Sequence, residues 1–277
     1  MIEEPKQRIW GVDFSAAEDD AGRQTWIADC HVENGCLEVD GLSSASEHLG
    51  SRTKKRETVL EELTTAIGDL DGGTVGMDFP FGLPKEFLGT DDWASFVRKV
   101  PEEWGNLDGV DDPVSLYDVV EKRAADSGDE LARETDEAHE GQKPAGFRIK
   151  TQTYYGISAV LKPLVEDHDV AIPPIYPNED AVVDVIETYP AAVFADLDAD
   201  RNGYKSDDRA GIVTRRRNLA ILERNGIKLT AADADCAIGT DDALDALAAA
   251  YAAWKADESS PNWPGEPAAT EGEIYSG

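Results

Sequence analysis

Two short segments of the 277-residue chain repeat one pattern, Gly11-Val12-Asp13-Phe14 and Gly76-Met77-Asp78-Phe79. Each sets a carboxylate near the C-terminal end of an apolar run, after a glycine and a bulky apolar residue. An ionised Asp within a buried strand is costly unless it is paired or bound to a metal. If the two runs are parallel neighbours in one sheet, the shared pattern aims both carboxylates at one spot, where like charges repel and raise a pKa. A divalent cation between them removes that conflict, and Mg²⁺ takes carboxylate oxygens readily.

Further acids fit the same pocket. Glu187 ends the apolar run that begins at Val182, and Asp242 and Asp245 open a helical pattern, Asp241-Asp242-Ala243-Leu244-Asp245. Residues three apart share a helix face. Helix capping is the competing explanation, since Thr240 or Asp241 at the N-cap with acids in the first turn stabilises any helix. Capping accounts for Asp241 and Asp242 better than for Asp245, which sits beside Leu244 and Ala248 on the inner side.

The elements that must position these residues follow from the pattern. Arg8 to Phe14 reads as a buried strand. Gln24 to Val32 and Cys36 to Leu42 read as strands joined by Asn34-Gly35, a two-residue hairpin turn that pairs Cys36 with Glu33 and Cys30 with Val39. Val59, Leu60, Leu63 and Ile67 give Thr53 to Leu70 a helical period. After Gly72-Gly73, Thr74 to Asp78 is the next strand. Strand, hairpin, helix, strand implies a mixed sheet in which the first and fourth strands lie parallel.

Residues 84 to about 178 differ, with Pro, Trp and charge clusters, a predicted helix from Val114 to Glu137 and a second from Ser158 to Asp167. Ala181 to Glu187 resumes strand character. Asp208 to Asn225 reads as a helix that Gly226 ends. The final helix runs from Asp241 to about Lys255, with Leu244, Leu247, Tyr251 and Trp254 as its apolar stripe. Ser259 to Gly277, rich in Pro, Gly and Glu, is expected to lie over the surface. The expectation is one α/β domain with its core over about 8–83 and 180–256, a helical insertion over about 84–179, and an acidic C-terminal segment, 257–277.

Composition bounds the function. Asp and Glu number 57 against 26 Lys and Arg, a formal net charge of −31. That excludes a generic basic nucleic-acid-binding surface. At about 1 M salt the Debye length falls to roughly 3 Å and screens such repulsion, so the evenly acidic chain points to a salt-rich cytoplasm, as in halophilic archaea. The other reading is a surface for cations or basic partners. No stretch approaches about 20 apolar residues, so no membrane span is expected, and the first residues lack a secretory pattern. Three cysteines, no Cys-x-x-Cys and four scattered histidines argue against disulfides and zinc.

The motifs G-V-D-F-S-A, G-M-D-F-P-F-G-L-P, E-T-Y-P-A and D-D-A-L-D-A-L-A-A-A, in this order from Ile9 to about Trp254, resemble the domain-of-unknown-function 429 family. That family is regarded as predicted nucleases with a ribonuclease H-like fold, and the last motif also resembles the closing helix of Holliday-junction resolvases. The resemblance implies a ribonuclease H-like mixed five-stranded sheet flanked by helices, with a helical insertion after the fourth strand. It implies Asp13, Asp78, Asp242 and Asp245 as catalytic ligands of Mg²⁺ or Mn²⁺. Asp13 would bridge two ions, with Asp78 on one and the helix acids on the other, in phosphodiester hydrolysis of DNA or RNA. Glu187 matches a family motif, yet E-T-Y-P could equally be a strand end whose Tyr189 packs in the core.

Substrate-side candidates are Arg215, Arg216 and Arg217, a basic run in an acidic chain, either for phosphate or for salt bridges to nearby acids. Arg148 and Lys150, with Tyr154 and Tyr155, combine cations and aromatics as single-strand sites do, although core packing gives the same composition. Phe79 to Pro84 either shapes the pocket wall or is turn chemistry. An actin-like ATPase or sugar kinase would need a Gly/Thr-rich phosphate loop where Phe14-Ser15-Ala16-Ala17 stands. A non-catalytic binding protein on the same scaffold is the other alternative. Oligomeric state is left open.

Overall fold

The computed structural model describes residues 7–90, 92–103, 106–107, 110–111, 120, 122, 124–126, 131–146, 148–259 and 268–277. Its strands are β1 (Arg8–Asp13), β2 (Trp26–Glu33), β3 (Cys36–Ser44), β4 (Gly73–Met77), β5 (Asn106–Leu107), β6 (Val110–Asp111), β7 (Val170–Ala171), β8 (Val183–Thr188), β9 (Ile227–Lys228) and β10 (Ile274–Tyr275). Asn34 and Gly35 both adopt positive φ, 52° and 72°, as the tight hairpin turn requires. The ladder then pairs Glu33 with Cys36 and Cys30 with Val39, the register read from the turn. The helix Arg56–Gly68 buries Val59, Leu60, Leu63 and Ile67 and carries the chain across the sheet, so that β4 returns parallel to β1 while β2 lies antiparallel on its other side.

The mixed sheet has eight strands, not five, in the order β10-β8-β4-β1-β2-β3-β9 with β7 also beside β8. β5 and β6 form a separate ribbon. The additional strands β7, β9 and β10 are two residues each, too short to carry a period-two signal. Ser259 to Gly277 does not simply cover the surface. Its end supplies β10, which pairs in parallel with Glu187 and Thr188 of β8. Lys85 N–H to Glu271 (2.8 Å) and Ile274 N–H to Thr135 Oγ1 (2.9 Å) fasten that end in place.

Most of the helix expected from Val114 to Glu137 lies outside the described residues. Residues 120, 122 and 124–126 are helical, but the helix does not reach Glu137 unbroken. A new short helix, Glu134–Ala138, starts after Arg133, whose backbone N–H meets the Asp136 carboxylate at 2.8 Å. The helix expected from Ser158 starts earlier, running through Lys150–Gly156, a π-turn at Ile157–Leu161, and Lys162–Asp167. Among the described residues no helix is long and apolar enough to cross a membrane, and the three cysteines are free.

Two apolar layers enclose the sheet. On one face Val12, Phe14, Met77 and Phe79 pack with Leu63 and with Val160 and Leu164 of the helical run over 150–167. On the other, Ile9 and Ala28 pack with Leu222, Leu244, Leu247 and Trp254. The final helix, Asp241–Ser259, is buried on all sides from Ala243 to Trp254 instead of along one stripe, with Ala243, Ala246, Ala249, Ala250 and Ala253 sealed from solvent. A Cβ on Gly11 would lie 2.1 Å from the Ala246 carbonyl oxygen, and one on Gly76 would lie 2.6 Å from that of Ala249. The glycine of each repeat is therefore the space in which an alanine-rich helix rests directly on the sheet.

Candidate metal centre

In the parallel ladder Gly11 pairs with Gly76 and Val12 with Met77. The Asp78 N–H continues it to the Val12 carbonyl at 3.0 Å, so Asp13 and Asp78 end neighbouring strands at one level. Side chains alternate along a strand, which puts both aspartates on the face of Gly11 and Gly76, under the final helix. That helix brings down Asp245. One carboxylate oxygen from each of Asp13, Asp78 and Asp245 lies within 4.8 Å of the others.

Asp245 is buried, whereas Asp13 and Asp78 are half-buried. Lys205 Nζ ion-pairs with Asp245 Oδ2 at 2.8 Å, while Asp245 Oδ1 and the hydroxyl of Tyr204 are buried without a well-formed hydrogen bond, the hydroxyl near enough to help hold the Asp245 charge. Asp242 lines the same cavity as Asp13, Asp78 and Lys205 but stands outside the close trio. Its N–H also meets Thr240 Oγ1 at 3.3 Å, so it takes part in the helix cap as well.

Four carboxylates thus face one ammonium. Burial, then Asp245, Asp78 and Asp242, push the Asp13 pKa well above the usual carboxylate range, against the pull of Lys205. Burial raises Asp78 to about 7, although Lys205 opposes it. Asp242 rises to about 6 through burial, Asp241 and Asp245. Asp245 is raised by burial despite its lysine. An all-oxygen donor set with excess negative charge fits a hard divalent cation such as Mg²⁺.

Other candidate residues lie elsewhere. Glu187 pairs in register with Met77, not with Asp78, so it points to the opposite face. It reaches the cavity rim, but Arg133 holds its oxygens at 2.5 and 2.7 Å and the Phe81 N–H adds a third bond at 2.9 Å. Arg133 also pairs with Asp136. Glu187 therefore anchors a buried ion network and is not joined to the three aspartates. Phe79 and Pro80 form cavity wall, with the Phe79 ring 4.8 Å from that of Phe14.

Arg215 is buried. Its guanidinium donates to the carbonyls of Tyr204 (2.5 Å), Ser206 (3.0 Å) and Ile238 (2.8 Å). Arg216 and Arg217 are exposed on a separate groove that also takes in Asp198 and Asp200. Arg148 is exposed and Lys150 buried, and the cavity is lined by their neighbours Ile149 and Gln152 instead. Tyr154 packs edge-on against Tyr155, and Arg56 sits 3.6 Å above the Tyr155 ring.

Sequence reasoning missed Lys205 and Arg133. The one available signal for Lys205 was its isolation, as the only lysine between Lys162 and Lys228. Arg133 stands among acids and small residues with no pattern to mark it.

A family model described as "Protein of unknown function (DUF429)" matches residues 11–269. Neither the curated proteins nor the solved structures contain a match to the chain.

Proposed function

The chain belongs to the DUF429 family, and from that membership together with the acidic centre we propose a divalent-metal-dependent nuclease on a ribonuclease H-like scaffold. The observation that carries the proposal is the convergence of Asp13, Asp78 and Asp245 within 4.8 Å. The β3-β2-β1-β4-β8 core, an antiparallel meander with β4 returning parallel beside β1, supports the scaffold assignment. Asp13, Asp78 and Asp245 would hold Mg²⁺ or Mn²⁺, with Asp242 contributing from the cavity rim. When bound, such an ion supplies Lewis-acid polarisation of a phosphoryl oxygen and a more acidic water.

The protein's own part is positional. Gly11 and Gly76 admit the final helix, that helix delivers Asp245, and the Phe14 and Phe79 rings wall the cavity. The substrate class is nucleic acid, DNA or RNA, bound through the metal, shape and stacking, because the chain's charge of −31 opposes ordinary phosphate contacts. The same acidity favours a salt-rich cytoplasm, where the repulsion is screened.

The test is a Mn²⁺ titration read by electron paramagnetic resonance in molar KCl, on wild type and Asp13→Asn, followed by single- and double-stranded DNA and RNA with Mn²⁺. A tight Mn²⁺ class in wild type, missing from the variant, together with cleavage by wild type alone, is the expected result. Identical titration curves would overturn the metal centre and leave a binding protein as the better description.

A further inference from the structure

An acidic centre that must receive a phosphodiester needs a protein cation at its rim, because the carboxylates repel an anion as strongly as they attract a metal. Lys205 is the one Lys or Arg among the described residues that line the cavity. Its backbone is fixed. Arg215, 1% exposed, grips the carbonyls on either side of it, those of Tyr204 and Ser206, and ties them to the Ile238 carbonyl. A planar guanidinium can hold several carbonyls from two segments at once, which a lysine cannot. The Tyr204 ring, buried against Phe194 at 5.1 Å, secures the same loop.

The side chain of Lys205, by contrast, is 58% exposed, its ammonium on Asp245 and 5.6 Å from the centre of the Tyr204 ring. A long flexible stem on a clamped backbone lets that ammonium turn from Asp245 toward the cavity without moving the loop. Resting on the nuclease reading, we propose that Lys205 is the substrate-phosphate contact of this site, parked on Asp245 until a cation takes over that carboxylate's charge.

The experiment uses Mn²⁺ as the metal and inorganic phosphate as the probe. Paramagnetic enhancement of ³¹P relaxation in molar KCl reports whether the anion reaches the bound ion, independently of any cleavage. Wild type should show saturable enhancement. Lys205→Met should bind Mn²⁺ at least as tightly while losing about tenfold or more in phosphate affinity, the worth of one charged hydrogen bond. Lys205→Arg should stay within about threefold of wild type. Phosphate affinity within twofold of wild type in Lys205→Met, with Mn²⁺ bound, would overturn the assignment and leave the metal centre standing. So would absence of enhancement in wild type, or loss of Mn²⁺ from Lys205→Met, which would make the lysine a structural partner of Asp245. Failure of wild type to bind Mn²⁺ would overturn the centre itself, and the role of Lys205 with it.

Discussion

Replacing Asp78 by Asn should stabilise the metal-free protein and abolish its stabilisation by metal. In the folded state burial lifts the Asp78 pKa from 3.8 to about 7. Between those pH values the folded chain holds a proton that the unfolded chain has released. Stability therefore falls as pH rises through the window, and the penalty is fully developed above pH 7. Three units at 1.36 kcal/mol each set an upper limit of about 4 kcal/mol. That limit already includes the pull of Lys205, and screening of the neighbouring carboxylates in molar KCl brings the expected gain to about 2 kcal/mol, or roughly 4–8 °C in Tm for a chain of this size. The gain should be less than half as large at pH 4.5.

With Mn²⁺ at a hundred times its Kd, wild type should recover about 2.7 kcal/mol by mass action and the variant almost nothing, so the order of stability reverses. Thermal unfolding in molar KCl at pH 4.5 and pH 8, with chelator and with Mn²⁺, measures all of this. A variant less stable than wild type in chelator at pH 8 would refute the electrostatic reasoning. Equal Mn²⁺ shifts in the two proteins would refute the assignment of Asp78 to the centre.

Gly11→Ala should cost about 3 kcal/mol or more, because its Cβ would meet backbone atoms of Ala246 and Ala250 at 2.1 and 2.2 Å. It should also weaken Mn²⁺ binding by lifting the helix that carries Asp245. Gly41→Ala, with nothing within 4 Å of its added Cβ, should change stability by less than about 1 kcal/mol; urea titrations compare the two. Arg133→Met leaves Glu187 and Asp136 buried without their cation and should cost about 3–5 kcal/mol. A second change, Glu187→Gln, should recover part of that loss, and additive effects in the double variant would show that the pair is not coupled.

The sequence by itself determined the hairpin and its register, the crossover helix and the parallel return of the fourth strand. Each of these is a local pattern of side-chain period and turn chemistry. It also marked Asp13, Asp78, Asp242 and Asp245, since acids embedded in apolar segments have few inexpensive explanations, and the structure brings all but Asp242 within 4.8 Å of one another. The repeated glycines were legible as part of a motif, but their purpose was not. Only the tertiary structure set a helix backbone against them and so made the final helix buried all round. The same holds for β7, β9 and β10, two-residue strands whose hydrogen bonds depend on where distant segments end. Glu187 and Arg215 looked like site residues and became buried anchors, while Lys205 and Arg133, unmarked in the sequence, came to neutralise Asp245 and Glu187. A charged side chain's role depends on which charge it meets, and that partner lies 40 residues away for Lys205 and 54 for Arg133. Pairings at that range leave no period in the sequence, because the chain's fold brings them together, not its local chemistry.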